Sequence, residues 1–493
     1  MKLSALLSVL TEYRTKNLTN SELEKIEIVG LCMNSKEVKK GDLFFCLNGS
    51  KNDGHNFVQT AEELGASAIV CERELESTLL QIIVKDTRSA LAILSAQFYE
   101  NPTQKMQVVG ITGTNGKTTT ANMLVEIIKS AGKKVGVIGT LGTFYENNFL
   151  PPSLTTPDPI FLQKILADMQ KRGVEYVVME VSAHALYFKK TLGIRFVATI
   201  FSNLTQDHLD FFASMKEYKK AKLELFKPKI SPISIVNADD FVSKEISSLR
   251  KTSDEKGLTK TFFYSLKNPS DAFAVITDEC LKNINFILNI NDELASVSLK
   301  LIGTHNVYNA LSAGVCARAL GFSMKEVENG LNAVKGVRGR LEWIGEYNGG
   351  DIFVDFAHTP DGLEKSLRSL KKLCLGRLVC VFGCGGNRDR EKRAMMGEKA
   401  SSFSDFCYLT SDNPRDEEPM AIIKDIEKGI SKKFFDYVVI SERSKAITVA
   451  MNSLKKGDVL IVAGKGGEDY QEIKGIKIPY KDEDLIREII EKV

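Results

Sequence analysis

The sequence predicts an α/β protein of three domains. The prediction rests on its length of 493 residues, on apolar strand-like runs that alternate with helical patterns, and on the small or polar residues that end those runs. At ~100 to 200 residues per domain, this length accommodates two to four domains. Strands alternating with helices are the mark of parallel sheets covered by helices. Apolar residues at 43% and charged residues at 26% are ordinary globular values and exclude a disordered or fibrous chain. The formal charge of +3 provides no field for bulk nucleic-acid or membrane binding, so partners must be recognised locally.

Residues 1–101 are expected to form a small α/β domain. MKLSALLSVL at the start has too short an apolar run for a signal peptide, leads into charged TEYRTK and lacks a cleavage site, so it reads as an amphipathic helix. A turn-rich stretch, 38–57, and shorter strand and helix signals follow. Residues 102–335, starting near Pro102, carry the runs QVVGIT, KVGVIGT, EYVVME, VATIFSN and ISIVNADD. Residues 336–493, starting near Gly336, carry a second series: IFVDFAH, RLVCVFGCGG, FCYLTSDNPR, YVVIS and DVLIVAGKGG. Open α/β sheets hold ligands at such strand ends.

The nine cysteines are odd in number, scattered and never in a C-x-x-C pair, a pattern of reduced thiols rather than disulfides or a zinc site. No stretch reaches the ~20 apolar residues that a bilayer span requires. The expectation is a cytoplasmic protein with neither a nucleic-acid partner nor a membrane span.

The strongest local signal is GITGTNGKTTT, residues 110–120, between a strand-like run and helical ANMLVEIIKS. Glycines let backbone N–H groups approach phosphate oxygens, Lys117 brings a cation, and a following hydroxyl can reach Mg²⁺. Gly113, Thr114, Asn115, Gly116, Lys117, Thr118 and Thr119 are therefore the candidate ATP-phosphate loop, making the middle domain a P-loop-type ATPase sheet. The common P-loop spacing would put its first glycine at Ile111, so this loop is a variant. Glu180 ends an apolar run, where a carboxylate is expensive without a cation, and His208 follows the next run. Each alone also reads as a capped loop residue. With a phosphate loop in the same sheet they suggest a hard-cation site for Mg²⁺.

Met215, Tyr218, Lys222 and Leu225 recur at helical spacing, which puts Lys222 on an apolar face. A buried ammonium is costly. Lys222 therefore snorkels to the surface, loses its proton or is modified.

These motifs, with LTTPDP, MEVSAHAL, SNLTQDHLD, GTHNVYNALSA, GRLEWI, VDFAHTPDGL, GCGGNRD, TSDNPR and AGKGGEDYQ in this order, resemble the Mur ligases, ATP-dependent amide-forming enzymes of peptidoglycan synthesis. The resemblance covers nearly the whole chain. It implies a UDP-substrate-binding N-terminal domain, a central ATPase domain and a Rossmann-like C-terminal domain that takes the amino acid. It implies that Lys222 is carbamylated by CO₂ (N6-carboxylysine) and that Thr118, Glu180, His208 and Lys222 hold Mg²⁺, two ions being expected. Lys117, His208 and Lys222 become the catalytic set. Asn306, Asn309, Arg340, Asp355 and His358 become further ATP contacts, and Ser35, Thr155, Thr156, Ser182 and Lys190 contacts to the UDP substrate. Lys36 stands where the family usually has Arg, Phe188 and Lys190 where it commonly has Gln and Arg, and Gly467 where His is common.

The resemblance further implies addition of meso-diaminopimelate to the D-glutamyl carboxylate of UDP-N-acetylmuramoyl-L-alanyl-D-glutamate through an acyl phosphate, by a protein expected to be a monomer. Arg388, Asp412, Asn413, Arg415, Gly464 and Glu468 are the expected amino-acid contacts, with Arg415 in DNPR offering a planar fork for the second carboxylate. Lanthionine or L-lysine as the amino acid, a sibling ligase such as folylpolyglutamate synthetase, and a P-loop ATPase switch remain alternatives. A dinucleotide-binding oxidoreductase is suggested only by GCGGNRD.

Overall fold

The computed structural model describes residues 1–17, 23–49, 52–152, 154–253, 257–431 and 436–492. The chain folds into two compact units, one made of residues 1–110 and 134–197, the other of residues 111–133 and 198–493. Positions 50 and 51 of the expected turn-rich stretch lie outside the described residues.

The first unit begins with the helix Leu3–Leu7, whose Leu3, Leu6 and Leu7 are buried, as an amphipathic start requires. A five-stranded sheet follows, in the order Arg14–Lys16, Leu80–Ile83, Ala68–Cys71, Asp42–Phe45, Gly30–Cys32. Its last four strands run parallel and the first is antiparallel. The helix Thr87–Phe98 starts where the Asp86 carboxylate accepts from the Arg88 and Ser89 N–H groups. Apolar clusters cover both faces of the sheet, which is why its central strands read as continuous apolar runs. Val135–Gly139 pairs in parallel with Tyr176–Glu180. The hairpin strands Gly142–Tyr145 and Asn148–Leu150 extend this pair antiparallel.

The second unit holds two sheets. In one, Phe196–Phe201, Ile233–Asn237, Lys260–Ser265 and Ala272–Cys280 run parallel. Asn283–Ile290 and Glu293–Leu299 then add antiparallel. Here the structure departs from the all-parallel expectation. The reason is visible in the chain: Ile284, Phe286, Leu288 and Ile290 are buried while the residues between them are not, the period-two pattern of a half-covered antiparallel strand. Helix Lys117–Ser130 packs against Thr304–Ala319 and Met324–Ala333 so closely that a Cβ on Gly330 would stand 2.2 Å from the Ile127 Cα.

The other sheet has the order Glu342–Tyr347, Gly350–Asp355, Val459–Ala463, Leu378–Phe382, Phe406–Leu409, Tyr437–Val439. All strands but the first are parallel. The segments GCGGNRD, TSDNPR and AGKGGE leave the carboxyl ends of three neighbouring strands, the ligand-binding end of such a sheet. Among the described residues no helix is long and apolar enough to cross a membrane.

Candidate active site

The candidate phosphate loop is held by hydrogen bonds of its own. Gly116 has φ +88°, and a Cβ there would lie 2.4 Å from Asn309 Oδ1, so the position requires glycine. Asn115 N–H donates to Asn203 Oδ1 at 3.0 Å, and the Ser202 hydroxyl donates to the Asn115 carbonyl at 2.6 Å. Lys117 opens the following helix, and its Nζ donates to the Gly113 and Thr114 carbonyls at 3.0 Å each. The ammonium is thus held over the loop. Asn115 Nδ2 also donates to Asp361 at 2.8 Å, and the Arg340 guanidinium donates to Thr118 Oγ1 at 3.0 Å.

Beside this loop is a cavity of about 460 Å³, lined among others by Asn115, Tyr264, His305, Asn306, Tyr308 and Arg340. Its size suits a nucleotide. Thr119, Asn309 and Asp355, three more of the expected ATP contacts, line it too. Asp355 is buried, accepts from Leu341 N–H and the Ser366 hydroxyl, and has its pKa raised by burial. His305 sits in the same wall with its pKa pushed down by burial to about 4, so it lines the pocket as a neutral ring. His358 does not line the cavity; it approaches Asp207 at 3.9 Å.

Lys222 is 2% exposed, which excludes the snorkelling alternative. Its Nζ donates to the Gly113 carbonyl at 2.9 Å and lies 4.5 Å from the Tyr218 ring centroid. Burial, and then the Lys117 charge, lower its pKa well below the ordinary lysine value. His208 packs edge-on to Tyr218 with centroids 5.9 Å apart, and the Tyr218 hydroxyl is 3.3 Å from Thr114 Oγ1. Asp207 faces His208 at 3.4 Å and Lys392 at 4.0 Å. Burial alone would raise its pKa, but His208, His358 and Lys392 outweigh burial and lower it to about 2.

The first unit holds Glu180 and the residues expected to contact the UDP substrate. Thr156 Oγ1 donates to the Glu180 carbonyl at 2.9 Å and accepts from Ser182 N–H at 3.0 Å. Thr140 Oγ1 lies 3.2 Å from Thr155 Oγ1. Lys190 pairs with Asp158 at 2.7 Å, and the Arg88 guanidinium stacks 4.4 Å over the Phe188 ring. Ser35 opens a short 3₁₀ turn, Ser35–Glu37, on a separate element, with Lys36 exposed beside it.

In the C-terminal sheet, Asn413 Nδ2 donates to Glu468 at 2.9 Å, and buried Lys465 donates to Asn413 at 2.9 Å and Glu468 at 3.1 Å. Burial and the Asp412 carboxylate raise the Glu468 pKa. Arg415, at φ +51°, pairs through Nε with Glu472 at 3.0 Å and donates through Nη1 to the Gly386 carbonyl at 2.8 Å. A Cβ on Gly464 would lie 2.6 Å from Asp412, so glycine lets these two strand ends meet. Arg388 extends toward Asp210 at 3.8 Å.

Sequence reasoning passed over several residues that the fold brings to these places. Asp207 flanks His208 in its motif but carries no spacing signal of its own. Lys465 lies inside AGKGGE, where a buried lysine could have been suspected. Thr140, Asp361 and Glu472 look like ordinary turn or surface residues in the chain.

Three segments match family descriptions: residues 27–99 the Mur ligase family catalytic domain, 111–317 the Mur ligase middle domain, and 339–466 the Mur ligase glutamate ligase domain. The chain is 40% identical over 500 residues to UDP-N-acetylmuramoyl-L-alanyl-D-glutamate--2,6-diaminopimelate ligase of Clostridium tetani (strain Massachusetts / E88), covering 100% of both chains. It is 41% identical over 473 residues to the enzyme of the same name from Aquifex aeolicus (strain VF5), covering 94% of each. A solved structure of a ligase of that name superposes with a TM-score of 0.70 at 29% identity, covering 96% of this chain and 97% of that one. These matches cover the chain from its first domain to its last, and this chain belongs to the Mur ligase family of ATP-dependent, ADP-forming ligases.

Proposed function

We propose that the protein joins meso-2,6-diaminopimelate to the D-glutamyl carboxylate of UDP-N-acetylmuramoyl-L-alanyl-D-glutamate, at the cost of ATP, as a step of peptidoglycan synthesis. The observation that carries this reading is one unit that holds both a tethered phosphate loop beside a 460 Å³ cavity and an Arg415 fork at the carboxyl end of the C-terminal sheet. Residues 1–101, 102–335 and 336–493 serve as UDP-substrate, ATP and amino-acid domains, in a protein that works as a cytoplasmic monomer.

A carboxylate resists attack by an amine because its charge repels the nucleophile and oxide is a poor leaving group. Transfer of the ATP γ-phosphoryl group to the glutamyl oxygen breaks the bond to ADP and forms an acyl phosphate. The amine nitrogen then attacks the acyl carbon, phosphate departs with the bonding pair, and the nitrogen loses a proton. Lys117 and the N-terminal amides of its helix stabilise charge on the transferring group. Arg340 and the Asn115–Asp361 bond fix the loop.

The donor chemistry fits a divalent cation. Among the described residues no three His, Cys, Asp or Glu side chains form a metal cluster, so a cation needs ligands of another kind. Within the second unit the Thr118 hydroxyl and a carbamate on Lys222 would supply them, with His208; Glu180, in the first unit, is a candidate ligand considered by itself. Burial and the Lys117 charge lower the Lys222 pKa, which favours the neutral amine, the form that adds to CO₂ with loss of a proton; the carbamate nitrogen would retain one N–H for the Gly113 carbonyl. Bound Mg²⁺ would neutralise phosphate charge.

At the C-terminal sheet, Arg415 offers its remaining guanidinium edge to the far carboxylate of diaminopimelate, and Glu468, with Asp412 near it, takes the far ammonium. Asn413, Gly464 and Arg388 complete that wall. The decisive experiment is phosphate release with the UDP-dipeptide and, in turn, meso-diaminopimelate, lanthionine and L-lysine. Diaminopimelate should turn over fastest; faster turnover with L-lysine overturns the assignment, and ATP hydrolysis that needs no UDP-dipeptide favours an ATPase switch.

A further inference from the structure

The hairpin strands Tyr470–Ile473 and Ile476–Pro479 form a small sheet of their own, and the first of them lies along the DNPR segment. The Gln471 side-chain amide donates to the Asp412 carbonyl at 2.7 Å, and the Glu472 N–H donates to Asn413 Oδ1 at 3.0 Å. The Arg415 N–H donates to the Glu472 carbonyl at 3.0 Å, and the Lys474 N–H donates to the Arg415 carbonyl at 2.8 Å. Both backbone polar groups of Arg415 are therefore paired with this hairpin.

These bonds matter because of how Arg415 is folded. Its φ of +51° lies in the left-handed region, which a residue with a Cβ adopts only where its surroundings hold it there. The hairpin supplies that hold. The side chain is then fixed at two nitrogens, since Nε donates to Glu472 Oε2 at 3.0 Å and Nη1 to the Gly386 carbonyl at 2.8 Å. Nη2 has no partner among the described residues, so its protons remain for a ligand. A loose arginine samples many rotamers, and a ligand that must stop this motion loses affinity; a guanidinium already held at Nε is stopped in advance. The Glu472 charge works the other way, because it repels a second carboxylate. Arg415 and Glu472 are 19% and 24% exposed, so solvent screens that repulsion and orientation should win.

We propose that Glu472 is a positioning residue for the amino-acid substrate: carried by the strand Tyr470–Ile473, it holds the Arg415 guanidinium in one orientation, with Nη2 left for the far carboxylate of a diamino diacid. The proposal rests on the reading above that Arg415 meets that carboxylate.

The test is the KM of meso-diaminopimelate, measured by phosphate release from the full-length protein with saturating UDP-dipeptide and ATP. Glu472→Ala should raise it about ten-fold while kcat falls far less, the loss of one charge-assisted hydrogen bond acting through Arg415. Glu472→Gln, which keeps an acceptor for Nε without the charge, should stay within about three-fold of wild type. In an Arg415→Ala background, Glu472→Ala should add nothing, because the group it positions is gone. A lower KM in both Glu472 variants would show that repulsion dominates and would overturn the proposal, as would a full further rise in the Arg415→Ala background. If Arg415→Ala itself leaves the KM of diaminopimelate unchanged, the underlying reading of Arg415 fails. If Arg415→Ala raises that KM and Glu472→Ala does not, the positioning role alone fails.

Discussion

Two buried cations in the second unit show opposite solutions to the same electrostatic problem. Arg443 is 1% exposed and Asp482 is fully buried; they meet through two hydrogen bonds, at 2.8 Å and 2.7 Å. Arg443 also donates to the Ala463 carbonyl at 3.0 Å. Its charge is held against burial by Asp482. Lys222 is equally enclosed, but its hydrogen-bond partner is a carbonyl and a second lysine stands near it. Burial and the neighbouring Lys117 charge therefore lower its pKa, where Arg443 has its charge paired. The first arrangement holds a fold; the second perturbs an amine in the way that marks candidates for chemistry.

The contrast is sharpest in Lys222→Ala. If the amine is the seat of a charge-stabilising carbamate, its loss should lower turnover by on the order of 10³-fold, and short carboxylic acids should restore part of it. Phosphate release measures both, and wild-type turnover in this variant would erase the contrast. Arg443→Ala should act on the other axis. Leaving Asp482 buried without its partner should cost about 3 to 5 kcal/mol in urea unfolding, while kcat of the protein that remains folded stays near wild type. Replacing both members with apolar residues of similar volume should recover much of that stability, and no recovery would count against burial of the unpaired carboxylate as the cause.

Arg415 lies between the two cases, since it is paired with Glu472 and is the residue proposed to meet the far carboxylate of the amino acid. Arg415→Ala removes a charge-assisted hydrogen bond of about 1.5 to 3 kcal/mol. The KM of diaminopimelate should rise roughly ten- to a hundred-fold, with that of ATP unmoved; a parallel rise in both would remove Arg415 from the amino-acid wall. The smallest effect belongs to a site with no buried charge. Ser323 and Glu326 form a reciprocal cap on Met324–Ala333. Ser323→Ala should lower stability by about 1 kcal/mol and leave every kinetic constant alone.

Much of this was legible in the chain because its signals are local. Gly113, Gly116 and Lys117 announce a phosphate loop within a few residues, and the helical spacing of Met215, Tyr218, Lys222 and Leu225 puts Lys222 on an apolar face, while the fold had to decide between burial and snorkelling. What escaped was what depends on neighbours distant in sequence. Thr140 matters because Glu180 and Thr155 come to it, and Asp207 because Lys392 does. The antiparallel strands over 283–299 escaped for another reason. Their alternation is plain, but no chemistry-bearing motif draws attention to it and the strand-helix rhythm on either side suggests a parallel sheet. The shared role of Asn413, which accepts from Lys465 and donates to Glu468, could not be read from DNPR and GKGGE separately.

The peptide oxygen of Gly113 receives both Lys117 and Lys222. A Cβ at this residue would collide with Ser202 Oγ at 1.9 Å, so a bulkier residue would have to swing the peptide plane aside. One rotation about a single residue would then unhitch two amines at once. Position 113 is in that sense a common hinge pin for Lys117 and Lys222.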